Sequence, residues 1–395
     1  MPKKIAIVAC YFHPNYGSQL QSLATQKILD DLGIENEIIN ITGLKKQINS
    51  AKYKYFFSRI IDPNTVKDKI GTLTYAIQLK INKNSFGRNV AIRNSMFSKF
   101  ADEMFKLSKV YASKEDLGNN CHKYAAVLIG SDQLWLPSNI EADYYTLNFV
   151  PEDIPKIAFA TSFGVSTIPK AQRKKAATFL KRIDFLSTRE KSGQQIIKEL
   201  TDRDVPVVCD PTLLFTSDDW LYIQKIKRII TEKYIFCYLL GNNPIHRRFV
   251  QELKKITGYK IVQLKHLDEY IKSDEFFSDY SPYDIGPSEY ISLIRDSEYV
   301  CTDSFHGTVF SILHSKPFFS FRRYQEDSSV STNSRLHSIM SSLNLKDRSI
   351  TGEESLDDCI NREIDYDTVN KLLAEFRDSS KEYLINALNH SGIKV

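Results

Sequence analysis

The alternation of short apolar runs with amphipathic stretches, repeated in two series, restricts this chain more than any other feature. "KIAIVAC", then "SQLQSLATQKILDDLG" with Gly33 as its stop, then "NEIINI" form a first β–α–β unit. After a long interruption come "YAAVLIG" with its exit loop "SDQLW", "KIAFATSFG", a helix over 170–183, "FLSTRE" opening the helix "KSGQQIIKEL", and "VPVVCDPTLLF". Near 216–220 a second series starts: "EKYIFCYLLG", a helix over 244–257, "YKIVQL", the helix in "GPSEYISLIRDS", "EYVCT", a polar motif and "PFFSF". Strands this uniformly apolar are covered on both faces, and strands that alternate with helices make parallel sheets. The expected class is therefore α/β, with two Rossmann-like domains facing a cleft in a GT-B-like arrangement. The expected bounds are 1–217 with a basic helical insertion at about 44–110, then 218–365, then a C-terminal helix within 366–395 that packs back on the first domain.

At 395 residues the chain is longer than one core usually serves, which agrees with two domains. No run of about 18 apolar residues is present, so no membrane-spanning helix is expected. The leading "MPKKIAIVAC" has too short an apolar run for a signal peptide and is followed by "FHPNYG", so it reads as a first strand. The cysteines at 10, 121, 209, 237, 301 and 359 include no CxxC pair. That suits a reducing compartment and carries no metal signature. The expected location is the cytoplasm, with peripheral attachment at the inner face of the membrane as an option.

Between Leu44 and Lys109 stand 14 Lys/Arg against 4 Asp/Glu, interleaved with aromatic residues. One reading is a helical insertion with an apolar stripe on the domain and a solvated basic face. The other is a basic amphipathic surface for anionic lipid or a pyrophosphate-bearing substrate. No nucleic-acid motif accompanies the charge, so no nucleic-acid partner is expected.

The polar motif is "CTDSFHGTVFSILHSKPFFSF", 301–321. It sits where a strand feeds a helix, the place at which parallel α/β sheets bind ligands. Asp303 or Ser304 can cap the helix, Gly307 removes bulk from its first turn, and the free N–H groups favour a phosphate or carboxylate. His306 is then a proton-transfer group beside that anion. Polar clusters recur at equivalent strand exits: Asn15, Gly17 and Ser18 in "NYGSQLQ"; Ser131, Asp132 and Gln133, with Trp135, in "GSDQLW"; Arg189 and Glu190 in "STRE"; and "CDPTLL".

In this order "NYGSQLQ", "GSDQLW", "SFGVSTIP", "STREKSG", "CDPTLLF" and "TDSFHGTVFSILHSKPF" resemble the polysaccharide pyruvyl transferase family over roughly residues 4–345. The resemblance implies a transferase that moves an enolpyruvyl-derived group from phosphoenolpyruvate onto two sugar hydroxyls. The product is a cyclic pyruvate ketal on a bacterial cell-surface polysaccharide, such as a capsule or exopolysaccharide, or on its lipid-linked precursor. Phosphoenolpyruvate is a co-substrate, and no cofactor or metal is expected. His306 is the expected acid/base group, and Arg189, Ser304, Gly307 and Thr308 the expected donor contacts. Other members write Arg-Leu-His where this chain has Ser304-Phe305-His306, so a donor-binding arginine must be replaced. Lys316, Arg322, Arg323 and Arg335 are the candidates, Lys316 and Arg335 foremost. Asn15, Gly17, Ser131, Asp132 and Gln133 are expected at the acceptor, with Trp135 either stacking on a sugar face or packing beneath its loop. Asp210 before Pro211 reads as a turn or interdomain anchor. The alternatives are a GT-B glycosyltransferase using a nucleotide-sugar and a non-catalytic member serving glycan assembly.

Overall fold

The computed structural model describes residues 4–57, 86–224, 228–266, 271–323 and 333–395. The centre of the basic segment, 58–85, lies outside the described residues. Strands β1 (Lys4–Val8), β2 (Asn36–Ile38), β3 (Tyr124–Ile129) and β4 (Lys156–Ala158) form one sheet in the order β2-β1-β3-β4. Strands β5 (Tyr234–Tyr238), β6 (Lys260–Gln263), β7 (Tyr299–Thr302), β8 (Phe318–Phe321) and β9 (Ser349–Ile350) form a second, ordered β6-β5-β7-β8-β9. Every pairing between these strands is parallel. The strand order reverses between β1 and β3 in one sheet and between β5 and β7 in the other. Loops leaving two such strands diverge and open a crevice at their carboxyl ends.

Helix α1 (Tyr16–Asp31) leaves the first crevice and is buried on nearly every side. That explains its mixed sequence, since a helix enclosed all round has no solvent face on which to keep its amides. Their N–H groups are satisfied internally: Gln19 donates to the carbonyls of Tyr11 and Phe97, Gln21 to that of Ser18, and Gln26 bridges the Met104 carbonyl and the Lys106 N–H. Tyr16 at its start donates to the Ile285 carbonyl (3.0 Å) and stacks on Tyr290, centroids 4.4 Å apart and planes 5° from parallel. Such a pair contributes about 0.5–1.5 kcal/mol beyond its buried area. One apolar cluster consequently runs from the first sheet into the second.

The basic segment contributes α2 (Lys45–Phe57) and α3 (Phe86–Met104). Helix α3 buries Phe86, Val90, Arg93, Phe97 and Phe100, a stripe spaced by fours and threes. Arg93, counted from sequence as surface charge, occupies the centre of that stripe and is only 1% exposed. Its guanidinium donates to three carbonyls of the second lobe, Tyr283 (3.3 Å), Lys265 (3.2 Å) and Pro282 (2.6 Å). Carbonyls that no sheet uses can hold a buried guanidinium, and periodicity alone does not reveal them. Helix α3 is thus a strap between lobes. Helix α2 leaves Tyr53, Phe56 and Phe57 exposed. Helix α4 (Phe305–Leu313) opens from β7, and the terminal helix α5 (Tyr366–His390) lies on the first lobe, where Arg377 Nε donates to the Leu213 carbonyl and Tyr383 to that of Ala158.

Candidate active site

The two crevices face one another, and the exit of β7 spans the gap. Thr302 donates through Oγ1 to the Tyr238 carbonyl (2.6 Å) and accepts from the Ser304 N–H (3.1 Å). The Asp303 carboxylate accepts from the N–H groups of Leu240 and Gly241, each at 2.7 Å, which ties the exit of β5 to that of β7. Ser304 then caps α4 by accepting from Gly307 N–H. A Cβ on Gly307 would lie 2.5 Å from Thr302 Oγ1, so glycine lets this first turn sit on the strand end.

His306, 6% exposed, enters the first lobe from that turn. A Cβ on Gly17 would fall 1.9 Å from its Nδ1 and 2.4 Å from its Cγ, so glycine in the first turn of α1 makes room for the ring. Its Nε2 stands 3.5 Å from Asp210 Oδ2, an ion-pair separation rather than a hydrogen bond. Asp210 is the hub of the cluster. Oδ2 accepts from Arg189 Nη1 (2.7 Å) and the Ser131 hydroxyl (2.8 Å), and Oδ1 from the N–H (3.1 Å) and hydroxyl (2.7 Å) of Thr212. Burial pushes this carboxyl up, but His306, Arg189 and Thr212 together outweigh it and hold Asp210 well below the usual carboxylate range.

Arg189 Nη2 lies 3.4 Å from Asp132 Oδ1. Asp132 has φ 83°, a left-handed backbone uncommon for a residue with a side chain, and its carboxylate accepts from the Ser18 hydroxyl (2.5 Å) and the Gln133 N–H (2.8 Å). Burial raises its pKa, and Arg189 and His306 reverse the sign, leaving it lowered. Glu190 is enclosed behind Arg189: Oε1 accepts from the Ser162 hydroxyl (2.9 Å) and Phe163 N–H (3.1 Å), and burial raises its pKa. Two guanidiniums lie over the Phe305 ring, Arg189 at 4.6 Å and Arg335 at 5.6 Å from its centroid. Arg335, on the helix Asn333–Ser342, is 9% exposed and has no carboxylate partner among the described residues. Burial, then repulsion from Arg189, lowers its pKa to about 9, which leaves it charged at neutral pH.

Four buried polar atoms in this cluster have no hydrogen-bond partner among the described residues: Arg189 Nε, Arg335 Nε, Glu190 Oε2 and His306 Nε2. Orphaned buried groups cost about 1–3 kcal/mol each, more when charged. Three of them are donors grouped around one imidazole, whereas Glu190 Oε2 is an acceptor that stands 3.9 Å from Arg189 Nε. Beside it, across Asp132, a polar pocket of about 260 Å³ opens between Asn15, Ser18, Gln133, Asn139 and Lys52.

The structure brings together His306, Arg189, Ser304, Gly307 and Arg335 with Gly17, Ser131 and Asp132. Gln133 and Asn15 border the pocket, and Asn15 caps α1 by accepting from Ser18 N–H. Three expected contacts sit elsewhere. Thr308 is on the face of α4 turned to β8, where its hydroxyl meets that of Ser320 at 2.9 Å. Lys316 lies beyond the opposite end of α4 and donates to the Arg295 carbonyl (3.0 Å). Trp135 is fully buried, its Nε1 donating to the Tyr145 carbonyl and its rings packed on Phe163 and Phe179, so it packs beneath the loop and offers no sugar a platform. Of the remaining replacement candidates, Arg322 donates to the Ser349 carbonyl and Arg323 to Asp303. Sequence reading missed Asp210 as the hub, although an acid directly after the apolar "VPVVC" must be buried and therefore paired. Phe305 and Lys52 carried no such signal.

A family model described as polysaccharide pyruvyl transferase matches residues 15–326. A search of the curated proteins returned no match. Among solved structures, UDP-N-acetylglucosamine 2-epimerase from Rickettsia bellii is similar at 12% identity, with 99% of this chain and 98% of that one covered and a TM-score of 0.50. ADP-heptose LPS heptosyltransferase II from E. coli (11% identity, 96% and 99% covered, TM-score 0.39) and MurG from Acinetobacter baumannii (8%, 98% and 100%, 0.44) are also similar. At such identities the likeness concerns the fold alone, and the two-sheet α/β architecture is GT-B-like.

Proposed function

This chain belongs to the polysaccharide pyruvyl transferase family, and from that premise we propose that it transfers pyruvate from phosphoenolpyruvate onto a sugar, with His306 as acid/base group. The observation that carries the reading is the imidazole held between Gly17 and the ionised Asp210, next to two buried arginines with unsatisfied donors. The donor has a phosphate and a carboxylate, which suit Arg189 and Arg335, both close to Phe305. In this reading Arg335 replaces the arginine that Ser304 displaces. A proton delivered to the donor's methylene carbon makes C2 electrophilic, and one sugar hydroxyl bonds to C2 and gives up its proton. The C2–O bond to phosphate breaks, and the second hydroxyl closes the ketal. Of the two hydroxyl protons released, one balances the proton added to carbon and the other leaves with phosphate. His306 handles these transfers, and Asp210, 3.5 Å from its Nε2, faces the ring.

Incubation with phosphoenolpyruvate and a panel of synthetic or lipid-linked galactosides, mannosides and N-acetylhexosamines tests the proposal. Phosphate release with a matching mass gain on one acceptor is expected. Thermal stabilisation by a nucleoside diphosphate and none by phosphoenolpyruvate would instead favour a nucleotide-sugar glycosyltransferase.

The acceptor is a cell-surface glycan or its lipid-linked precursor, and α2 supplies a surface for the membrane that would carry the latter. No described helix is long and apolar enough to cross a membrane. Tyr53, Phe56 and Phe57 are nevertheless exposed together on a helix rich in lysine. Binding to anionic vesicles that weakens as salt rises is expected. Equal retention on neutral vesicles at every ionic strength would remove this part of the reading.

A further inference from the structure

The pocket beside Asp132 contains a cation that the reaction above does not use. Lys52 reaches the pocket from α2, which packs against the short helix Pro137–Ala142. Its ammonium has neither a hydrogen bond nor an ion pair among the described residues, and burial lowers its pKa. Lys52 is only partly buried, so its ammonium keeps access to the pocket, and an anion entering there meets a cation that no described carboxylate neutralises. In the wall nearby, Asn139 is 7% exposed; its Nδ2 donates to the Gln133 carbonyl (3.1 Å) while Oδ1 has no partner. An orphan amide oxygen accepts from a hydroxyl and repels an anion. Asp132, which lines the same pocket, likewise offers only acceptors.

The pocket therefore has acceptors for hydroxyls on one side and an unpaired cation on another. We propose that it is an acceptor subsite in which Asp132 and Asn139 take sugar hydroxyls and Lys52 takes the phosphate of a glycosyl phosphate or diphosphate. This rests on the acceptor being a sugar, as proposed above. The donor's anionic groups are met by Arg189 and Arg335 across the Asp132 wall, so a cation on the pocket side serves a second anion.

Isothermal titration with the 1-phosphates of galactose, mannose and N-acetylglucosamine, each against its methyl glycoside, tests the subsite. At least one 1-phosphate is expected to bind about ten-fold more tightly than its glycoside, the gain of one charge-assisted contact. Lys52→Gln should abolish that preference and Lys52→Arg retain it, with thermal midpoints confirming that both variants fold. Equal affinity for phosphate and glycoside, or a preference that survives Lys52→Gln, would overturn the proposal. A polyprenyl diphosphate sugar and a UDP-sugar, run as separate arms, identify the carrier by the larger Lys52-dependent gain; no such gain with any carrier also overturns it. Because binding is read without turnover, absent pyruvyl transfer would sink the proposed reaction and leave this measurement standing. A missing Lys52 effect would sink the subsite with transfer intact.

Discussion

His306→Gln is expected to lower kcat for pyruvyl transfer by about 10²–10⁴-fold while leaving the fold intact. Glutamine keeps a polar side chain of similar reach against Gly17 and Asp210 but has no proton to exchange near neutral pH. The effect should fall on kcat, because the arginines that meet the donor are untouched. A second substitution separates position from chemistry. Gly17→Ala leaves the imidazole in the sequence, yet its methyl would lie 1.9 Å from Nδ1, so the ring must shift or the lobes separate. Displacement of about 1 Å can cost on the order of 10²-fold, and overpacking about 1–3 kcal/mol of stability. Full turnover in His306→Gln would show that the proton passes through another group, and full turnover in Gly17→Ala that the ring's place against Gly17 does not matter.

Asp210→Ala should be the most destabilising single change at the site, by about 3–5 kcal/mol, because it leaves the Arg189 guanidinium buried without its shortest ion pair. Ser131 and Thr212 would lose an acceptor at the same time. Urea unfolding of both proteins at several pH values gives the measurement. The folded carboxyl lies below its unfolded value, so its stabilisation is complete above the unfolded pKa of about 4. It is lost as pH falls toward the folded pKa. The gap between native protein and Asp210→Ala should therefore be widest at pH 7 and begin to shrink only as pH falls below about 4. A gap independent of pH, or below about 1 kcal/mol, would mean that Arg189 finds a substitute carboxylate in Asp132 or Glu190.

Much of the site was legible before any coordinates. His306, Arg189, Asp132 and Gly17 were identifiable because each stands just after an apolar strand, where a parallel sheet delivers its loops to one edge. Thr308 and Lys316 stand apart from His306 for a definable reason. Both follow the histidine closely, but a helix turns 100° and rises 1.5 Å per residue, so neighbours in sequence leave for β8 and for the far end of α4. Arg93 was read as surface charge because a stripe spaced by fours and threes does not say whether carbonyls wait opposite its polar member.

The sequence by itself determined the alternation that makes two parallel sheets, and with it the edge on which chemistry gathers, since strand and helix periods are local properties of the backbone. How the gathered groups combine is set by contacts within and between the two lobes. That Asp210 joins Arg189 to His306, that Arg335 comes to the Phe305 ring, and that Lys52 enters the pocket all depend on packing between residues distant in the chain. Burial is what gives those charges their force, and burial belongs to the assembled lobes.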